Sequence, residues 1–416
     1  MSPTLSSLLH CEIRPTDFGP TPQPFNISVS SGFIHETEER VNRFRPSLDL
    51  EDDSNQNWSD GPPSANVTAL AKYWAEDYEW KEVQDKMNSD FSHFSISLPG
   101  VRGYDAAIPL HFVHERSQDE DATPLLLLHG WPSTHLEWEK VIHPLVSPQE
   151  SKSKSYHVVA PDLPGFGFSP APTQAGLDPR KMGLAMDALM LTLGYKRYGI
   201  VTTDLGWQMG MWMVEDVSDH IIGHMTDFFI PQPTPADMEK LQKGQATAQE
   251  AEYLGGMQGY MGGHAAYATV QSQKPLALAT AMADSPVGYA AWIWHLMYAV
   301  SDGYEYSHEE LVTSTMMLWL QGPYGNLRTY KEFYKPGFMD FPTTKIPTGV
   351  SQWLNPKGPY AELKRFPIAP RDWIERVANV VYMSSHEFGG HFPATSHPEI
   401  WVDDTRNFFA LVGEKA

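Results

Sequence analysis

The chain has 416 residues, too many for one average domain but suited to one large enzyme with an appendage. A net charge of −21 opposes binding to nucleic acid or to anionic membrane surfaces. A hydrophobic fraction of 41% with 13 tryptophans excludes wholesale disorder. The single cysteine, Cys11, excludes an intramolecular disulfide and a cysteine-rich metal site. No metal-ligand cluster and no nucleotide-binding glycine loop stands out, so neither metal nor cofactor is expected. No apolar run reaches the roughly 18 residues of a membrane span. Met1 to Pro15 lacks the basic start and long apolar core of a signal peptide, so a cytoplasmic protein is expected.

Residues 1–105 are irregular. Pro- and Asn-rich pieces alternate with a helical segment around Asn66–Met87, in which Leu70, Tyr73, Trp74 and Tyr78 fall three and four apart. This region is expected to wrap a core, either its own or across a homodimer interface. From 106 to 230 strands alternate with helices. Ile108–Val113 alternates in polarity, and Pro124–Leu128 is continuously apolar, as a strand buried on both faces should be. Tyr156–Ala160 and Tyr198–Val201 repeat the theme. That alternation predicts a mostly parallel, doubly wound sheet covered by helices. Residues 231–340 lose the strands and read as a helical cap, with helices at Val287–Val300 and Glu310–Leu320. Strands return over 341–416, at Ile346–Val350 and Val377–Met383.

Three motifs carry chemistry. His129-Gly130-Trp131-Pro132 follows the leucine strand, where a glycine turn frees backbone N–H groups to face a developing oxyanion. Tyr198 to Trp207 reads as strand, sharp turn and helix, with Asp204 at the turn. Such a residue is either a helix N-cap or a nucleophile presented on an elbow. Gly389-Gly390-His391 supplies a base in a glycine turn. The order of oxyanion loop, nucleophile, cap and histidine is that of the α/β-hydrolase fold.

With these motifs the chain resembles the microsomal type of epoxide hydrolase over nearly its whole length. The resemblance also rests on Leu70-Ala71-Lys72-Tyr73-Trp74, on Val159 to Ser169, on Gln271-Ser272-Gln273-Lys274-Pro275 and on Asp284-Ser285-Pro286-Val287-Gly288. It implies an α/β-hydrolase fold with a cap and an N-terminal wrapping region, and opening of a small apolar epoxide to a vicinal diol through an aspartyl ester. By the same resemblance Asp204 is the nucleophile and His391 activates water. The backbone N–H groups of Trp131 and Leu205 hold the oxyanion, and Tyr267 and Tyr330 donate to the epoxide oxygen.

The match breaks in two places. Thr202 and Thr203 stand where the family has glycines, and Leu205 where it has tryptophan. The two β-branched residues are expected to stiffen the turn and narrow the approach. The acid that orients the histidine is displaced by an insertion. Counting from one side of it reaches Arg365, and from the other Pro356. Glu362, the carboxylate between Gly349 and Pro370, is the first candidate. Asp227, at the end of the strand after the elbow helix, is the alternative, and Glu387 is a weaker one. These departures leave open an epoxide-opening cyclase or isomerase of specialised metabolism, and a non-catalytic binder of hydrophobic ligands. Leu205 opposes haloalkane dehalogenation, which draws on a tryptophan there. Met257, Tyr260, Met261, Trp292, Trp294, Met297, Tyr298, Met316, Met317 and Trp319 form a Met- and aromatic-rich cap stripe, read first as helix core.

Overall fold

A computed structural model describes residues 17–52, 55, 58–148, 153–366 and 368–413. Cys11 and the whole of Met1 to Pro15 lie outside the described residues. In chain order the elements begin with β1 (Gln23–Pro24), α1 (Ser31–Asn42), α2 (Ser64–Glu76), α3 (Trp80–Asp90), β2 (His93–Leu98), β3 (Ile108–Glu115), β4 (Thr123–Leu128), α4 (Glu139–Val146) and β5 (Tyr156–Pro161). They continue with α5 (Pro179–Thr192), β6 (Tyr198–Thr202), α6 (Asp204–Asp216) and β7 (Ile221–Thr226). Seven helices follow: α7 (Pro235–Gln242), α8 (Ala248–Gly263), α9 (Ala266–Gln273), α10 (Pro275–Met282), α11 (Pro286–Val300), α12 (His308–Trp319) and α13 (Tyr324–Phe333). The chain closes with β8 (Pro347–Leu354), α14 (Arg371–Ile374), β9 (Asn379–Gly389), α15 (Pro393–Ser396) and α16 (Pro398–Gly413).

The strands form one nine-stranded sheet in the order β1-β2-β3-β5-β4-β6-β7-β8-β9. From β5 to β9 every pairing is parallel, and β1, β2 and β3 join antiparallel. Leu125, Leu126, Leu127 and Leu128 are all fully buried, because successive side chains of a strand point to opposite faces and both faces are covered. Leu125 and Leu127 pack with Val141 and Ile142 of α4 and Phe408 of α16. Leu126 and Leu128 pack with Met186 and Leu189 of α5 and Met209 of α6.

The N-terminal region does more than wrap. β1 and β2 extend the sheet, with Ile96 opposite Leu110 in the antiparallel pair β2–β3. Its helices close over the cap within the same chain. Trp58 stacks on Tyr298 at 3.9 Å between ring centres, and the Tyr78 hydroxyl lies 3.1 Å from that of Thr313. The cap stripe is largely core: Trp294, Met297, Met316, Met317 and Trp319 are buried, whereas Met261 is exposed. Capping boxes at Thr234/Asp237, Thr247/Glu250 and Ser307/Glu310 fix where α7, α8 and α12 begin. Among the described residues no helix is long and apolar enough to cross a membrane.

Candidate active site

β4 and β6 lie side by side and parallel, so the turns after them meet at the same edge of the sheet. At the end of β6 the backbone of Asp204 takes φ 44°, the left-handed region that side-chain-bearing residues seldom occupy. Such strain marks a constrained, functional turn. The expected stiffening by the threonines takes another form. Thr202 ends the strand and Thr203 is extended (φ −136°, ψ 160°), where β-branched residues are at ease, so the strain falls on Asp204 alone. The Thr202 hydroxyl is also used, 2.7 Å from His224 Nε2. The turn closes because position 206 lacks a side chain: a Cβ on Gly206 would lie 2.1 Å from the Leu128 carbonyl oxygen.

The Asp204 carboxylate enters the glycine turn after β4. Its Oδ1 accepts from the Trp131 backbone N–H at 3.0 Å, and the Leu205 N–H also donates to the carboxylate. Its Oδ2 faces His391 Nε2 at 3.9 Å. Burial raises the carboxyl's pKa, opposed by the histidine and the two N–H groups. His391 follows two glycines in the left-handed region, at φ 109° and 67°. Its backbone N–H donates to Val300 O at 2.7 Å, and a Cβ on Gly390 would lie 2.3 Å from that same oxygen. The loop is pinned further by Asp302 Oδ2, which accepts from the Gly389 N–H at 2.9 Å. Burial holds the His391 pKa below its ordinary value, with Asp204 acting against it.

Across from this pair stand the cap tyrosines. Trp131 is gripped between them: Tyr267 of α9 stacks on its ring at 5.2 Å, and Tyr330 of α13 meets it edge-on at 5.8 Å. Its indole N–H donates to Asn326 Oδ1 at 3.1 Å, which fixes the ring. One side chain thereby registers both tyrosines against the loop that holds Asp204. Burial raises both phenol pKa values well above the ordinary one, so each is a neutral donor at physiological pH.

Asp204, His391, Tyr267, Tyr330, Trp131 and Leu205 therefore come together. Glu362 does not join them. It sits on a 3₁₀ turn, Ala361–Leu363, half exposed, with Oε1 2.9 Å from His264 Nε2. The insertion folds outward against α8 and does not reach His391, which corrects the expectation that Glu362 orients the base. Glu387 is exposed on β9. Asp227 lies at the end of β7, and the adjacent Phe228 packs edge-on against the His391 ring at 5.2 Å. The Asp227 Oδ2 accepts from the Trp401 indole N–H at 2.7 Å, and the Thr203 hydroxyl adds a looser contact to the same carboxylate. Burial, reinforced by the charge of Asp204, pushes its pKa up to about 7. Among the described residues no carboxylate hydrogen-bonds to the His391 ring.

Linear reading missed Glu137, on the turn before α4. It is buried, neither carboxylate oxygen has a hydrogen-bond partner within bonding geometry, and burial together with Asp227 and Asp204 raises it well above the carboxylate range. The nucleophile thus has two further carboxyls nearby, and mutual repulsion keeps those two protonated more readily. No local sequence signal marks it.

Folding also assembles a group that linear spacing hides. His111, His135 and Asp162 place ligand-type atoms within 4.8 Å of one another. Of the four ring nitrogens only His135 Nε2 lacks a partner among the described residues, and His111 Nε2 meets His93 Nδ1 at 2.9 Å. Asp162 Oδ1 accepts from the His135 backbone and from its Nδ1, and Oδ2 accepts from His111 Nδ1 and the Phe168 N–H. The cluster is a knot tying β3 and β5 to the oxyanion loop.

Similarity to known proteins extends over nearly the whole chain. Residues 22–138 match the family model for the epoxide hydrolase N terminus, and residues 123–242 that for the alpha/beta hydrolase fold. The juvenile hormone epoxide hydrolase of Manduca sexta is 27% identical over 415 residues, covering 94% of this chain and 86% of that protein. Epoxide hydrolase 1 of Sus scrofa is 26% identical over 436 residues, covering 94% and 89%. The crystal structure of juvenile hormone epoxide hydrolase from the silkworm Bombyx mori superposes with a TM-score of 0.83 at 24% identity, covering 96% of each chain.

Proposed function

Since the chain belongs to the epoxide hydrolase family of α/β-hydrolases, we propose that it opens apolar epoxides to vicinal diols through an ester on Asp204. The observation that carries this reading is the division of labour between the two Asp204 oxygens. Oδ1 rests on the Trp131 N–H, with the Leu205 N–H also donating to the carboxylate, and Oδ2, which faces His391, is the attacking atom. Oδ2 attacks an epoxide carbon, the ring C–O bond breaks, and the departing oxygen takes a proton from Tyr267 or Tyr330. Oδ1 is then the ester carbonyl oxygen, already in its oxyanion hole.

Hydrolysis uses the other side of the site. At 3.9 Å from Oδ2, His391 Nε2 is too far for direct proton transfer, and a water beside the pair reaches both. His391 removes a proton from that water and its oxygen adds to the Asp204 carboxyl carbon. The intermediate expels the diol oxygen, which takes the second proton of that water from the Asp204 carboxyl, and the imidazolium proton restores the phenol. Asp227 is the carboxylate we assign to orient His391, because its carboxylate is buried at a strand end, next in the chain to Phe228, against which the histidine ring packs. The ring walls of Trp131, Phe228 and Phe392 favour an apolar substrate.

Removing either cap hydroxyl tests the first step. Tyr267→Phe and Tyr330→Phe are each expected to slow epoxide opening about a hundredfold, the usual worth of a positioned acid. Their rate of ester hydrolysis should stay near that of the parent. Unchanged opening by both variants, measured in single-turnover quench experiments, would remove the tyrosines from the mechanism.

A further inference from the structure

A third phenol meets the pair of cap donors. α8 ends at Gly263, and the Tyr260 carbonyl accepts from both His264 and Ala265 N–H at 2.8 and 2.9 Å. This turn reverses the chain into α9 and brings the Tyr260 hydroxyl to 2.8 Å from that of Tyr267. Among the described residues Tyr267 is the only hydrogen-bond partner of the Tyr260 hydroxyl. A phenol carries one proton. If Tyr267 gives its proton to the epoxide oxygen, its own oxygen must accept in this contact, and Tyr260 must be the donor.

Resting on the ester reading above, we propose that Tyr260 is a positioning residue. It donates to the Tyr267 oxygen, turns the Tyr267 O–H toward the epoxide, and stabilises the phenolate that forms as the ring opens. No covalent bond to Tyr260 changes; the proton that leaves Tyr267 goes to the epoxide oxygen and returns from His391 after hydrolysis.

The inserted loop holds this donor in place. Phe366 stacks on the Tyr260 ring at 5.1 Å and 19°, and Glu362 holds His264, at the turn that follows α8, with a 2.9 Å contact. Gly259 makes room, since a Cβ there would lie 2.7 Å from that of Glu362. The segment that fails to supply an acid to His391 therefore braces the first half of the reaction. The electrostatics run the same way. Burial raises both phenols, but their mutual hydrogen bond lowers Tyr267 and raises Tyr260, as it must when Tyr260 donates.

The test is Tyr260→Phe, which keeps the ring and its stack on Phe366. Ester formation with an aryl epoxide such as styrene oxide would be followed in single turnovers, with ester hydrolysis measured separately. Alkylation is expected to fall about tenfold, equivalent to about 1.4 kcal/mol, while hydrolysis holds. Because Tyr260 acts through Tyr267, adding Tyr260→Phe to Tyr267→Phe should slow alkylation no further. A merely structural lesion would slow both steps and add its loss to that of Tyr267→Phe, and this result would overturn the proposal. So would an alkylation rate within about twofold of the parent in Tyr260→Phe alone. Parent protein that consumes epoxide without ever forming an ester would instead sink the reading beneath it.

Discussion

His391→Gln is expected to consume one equivalent of epoxide per active site and then stall with the ester in place. Opening draws on Asp204 Oδ2 and the phenols, none of which needs His391 as a base. Hydrolysis needs a water stripped of a proton beside the ester, and His391 is the base placed there, 3.9 Å from Oδ2. Removing such a base costs up to about 10⁶ in turnover. Glutamine fills similar space and can still hydrogen-bond, so the loop pinned by Val300 and Asp302 should survive. Intact-mass measurement should show the protein heavier by one substrate, and peptide mapping should place the adduct on Asp204. Steady turnover by this variant without an adduct would assign water activation to another group.

Asp227→Asn is expected to slow ester hydrolysis about 10⁴-fold, as loss of a histidine-orienting carboxylate does elsewhere, with far less effect on opening. The pH dependence gives the role away. An orienting carboxylate must be ionised to stabilise the imidazolium, and Asp227 titrates at about 7. Hydrolysis by the parent should therefore climb through pH 7 and level off above it, and the asparagine variant should lose that climb. Stability moves the opposite way. A carboxyl raised from its ordinary value to about 7 favours the folded state below about pH 4, and that contribution fades as pH rises through 7. Asparagine removes this penalty, so the variant should melt no lower than the parent at pH 8. Glu362→Gln, on a half-exposed pair with His264, should leave hydrolysis within about threefold. A collapse of hydrolysis in Glu362→Gln with normal rates in Asp227→Asn would reverse the assignment.

Much of this site is legible in the linear chain because its parts sit at strand ends. An apolar strand followed by His-Gly-Trp-Pro, a strand–turn–helix around Asp204 and a double glycine before His391 each encode local backbone geometry. The parallel sheet then makes them neighbours. Tyr267 and Tyr330 were reached through resemblance and not through periodicity, since both read equally well as helix aromatics. Glu362 misled because proximity in sequence to the expected position says nothing about where an inserted loop turns. His264, which captures it, lies on a different element. The role of β2 was overlooked although His93-Phe94-Ser95-Ile96-Ser97-Leu98 alternates cleanly; its pairing to β3 makes the N-terminal region part of the sheet. Glu137, the Tyr260–Tyr267 contact and the histidine–aspartate knot are long-range products of folding and leave no local signature.

The central claim is that the new oxygen of the diol comes from Asp204 and not from water. A single turnover with excess enzyme in heavy-oxygen water tests it directly, by mass analysis of the diol and of the peptide containing Asp204. The ester route predicts an unlabelled diol and one heavy oxygen in the Asp204 carboxylate, because water attacks the carboxyl carbon and Oδ2 leaves with the product. A labelled diol with unlabelled Asp204 after confirmed turnover would contradict it, and would make His391 the base for direct attack of water on the epoxide.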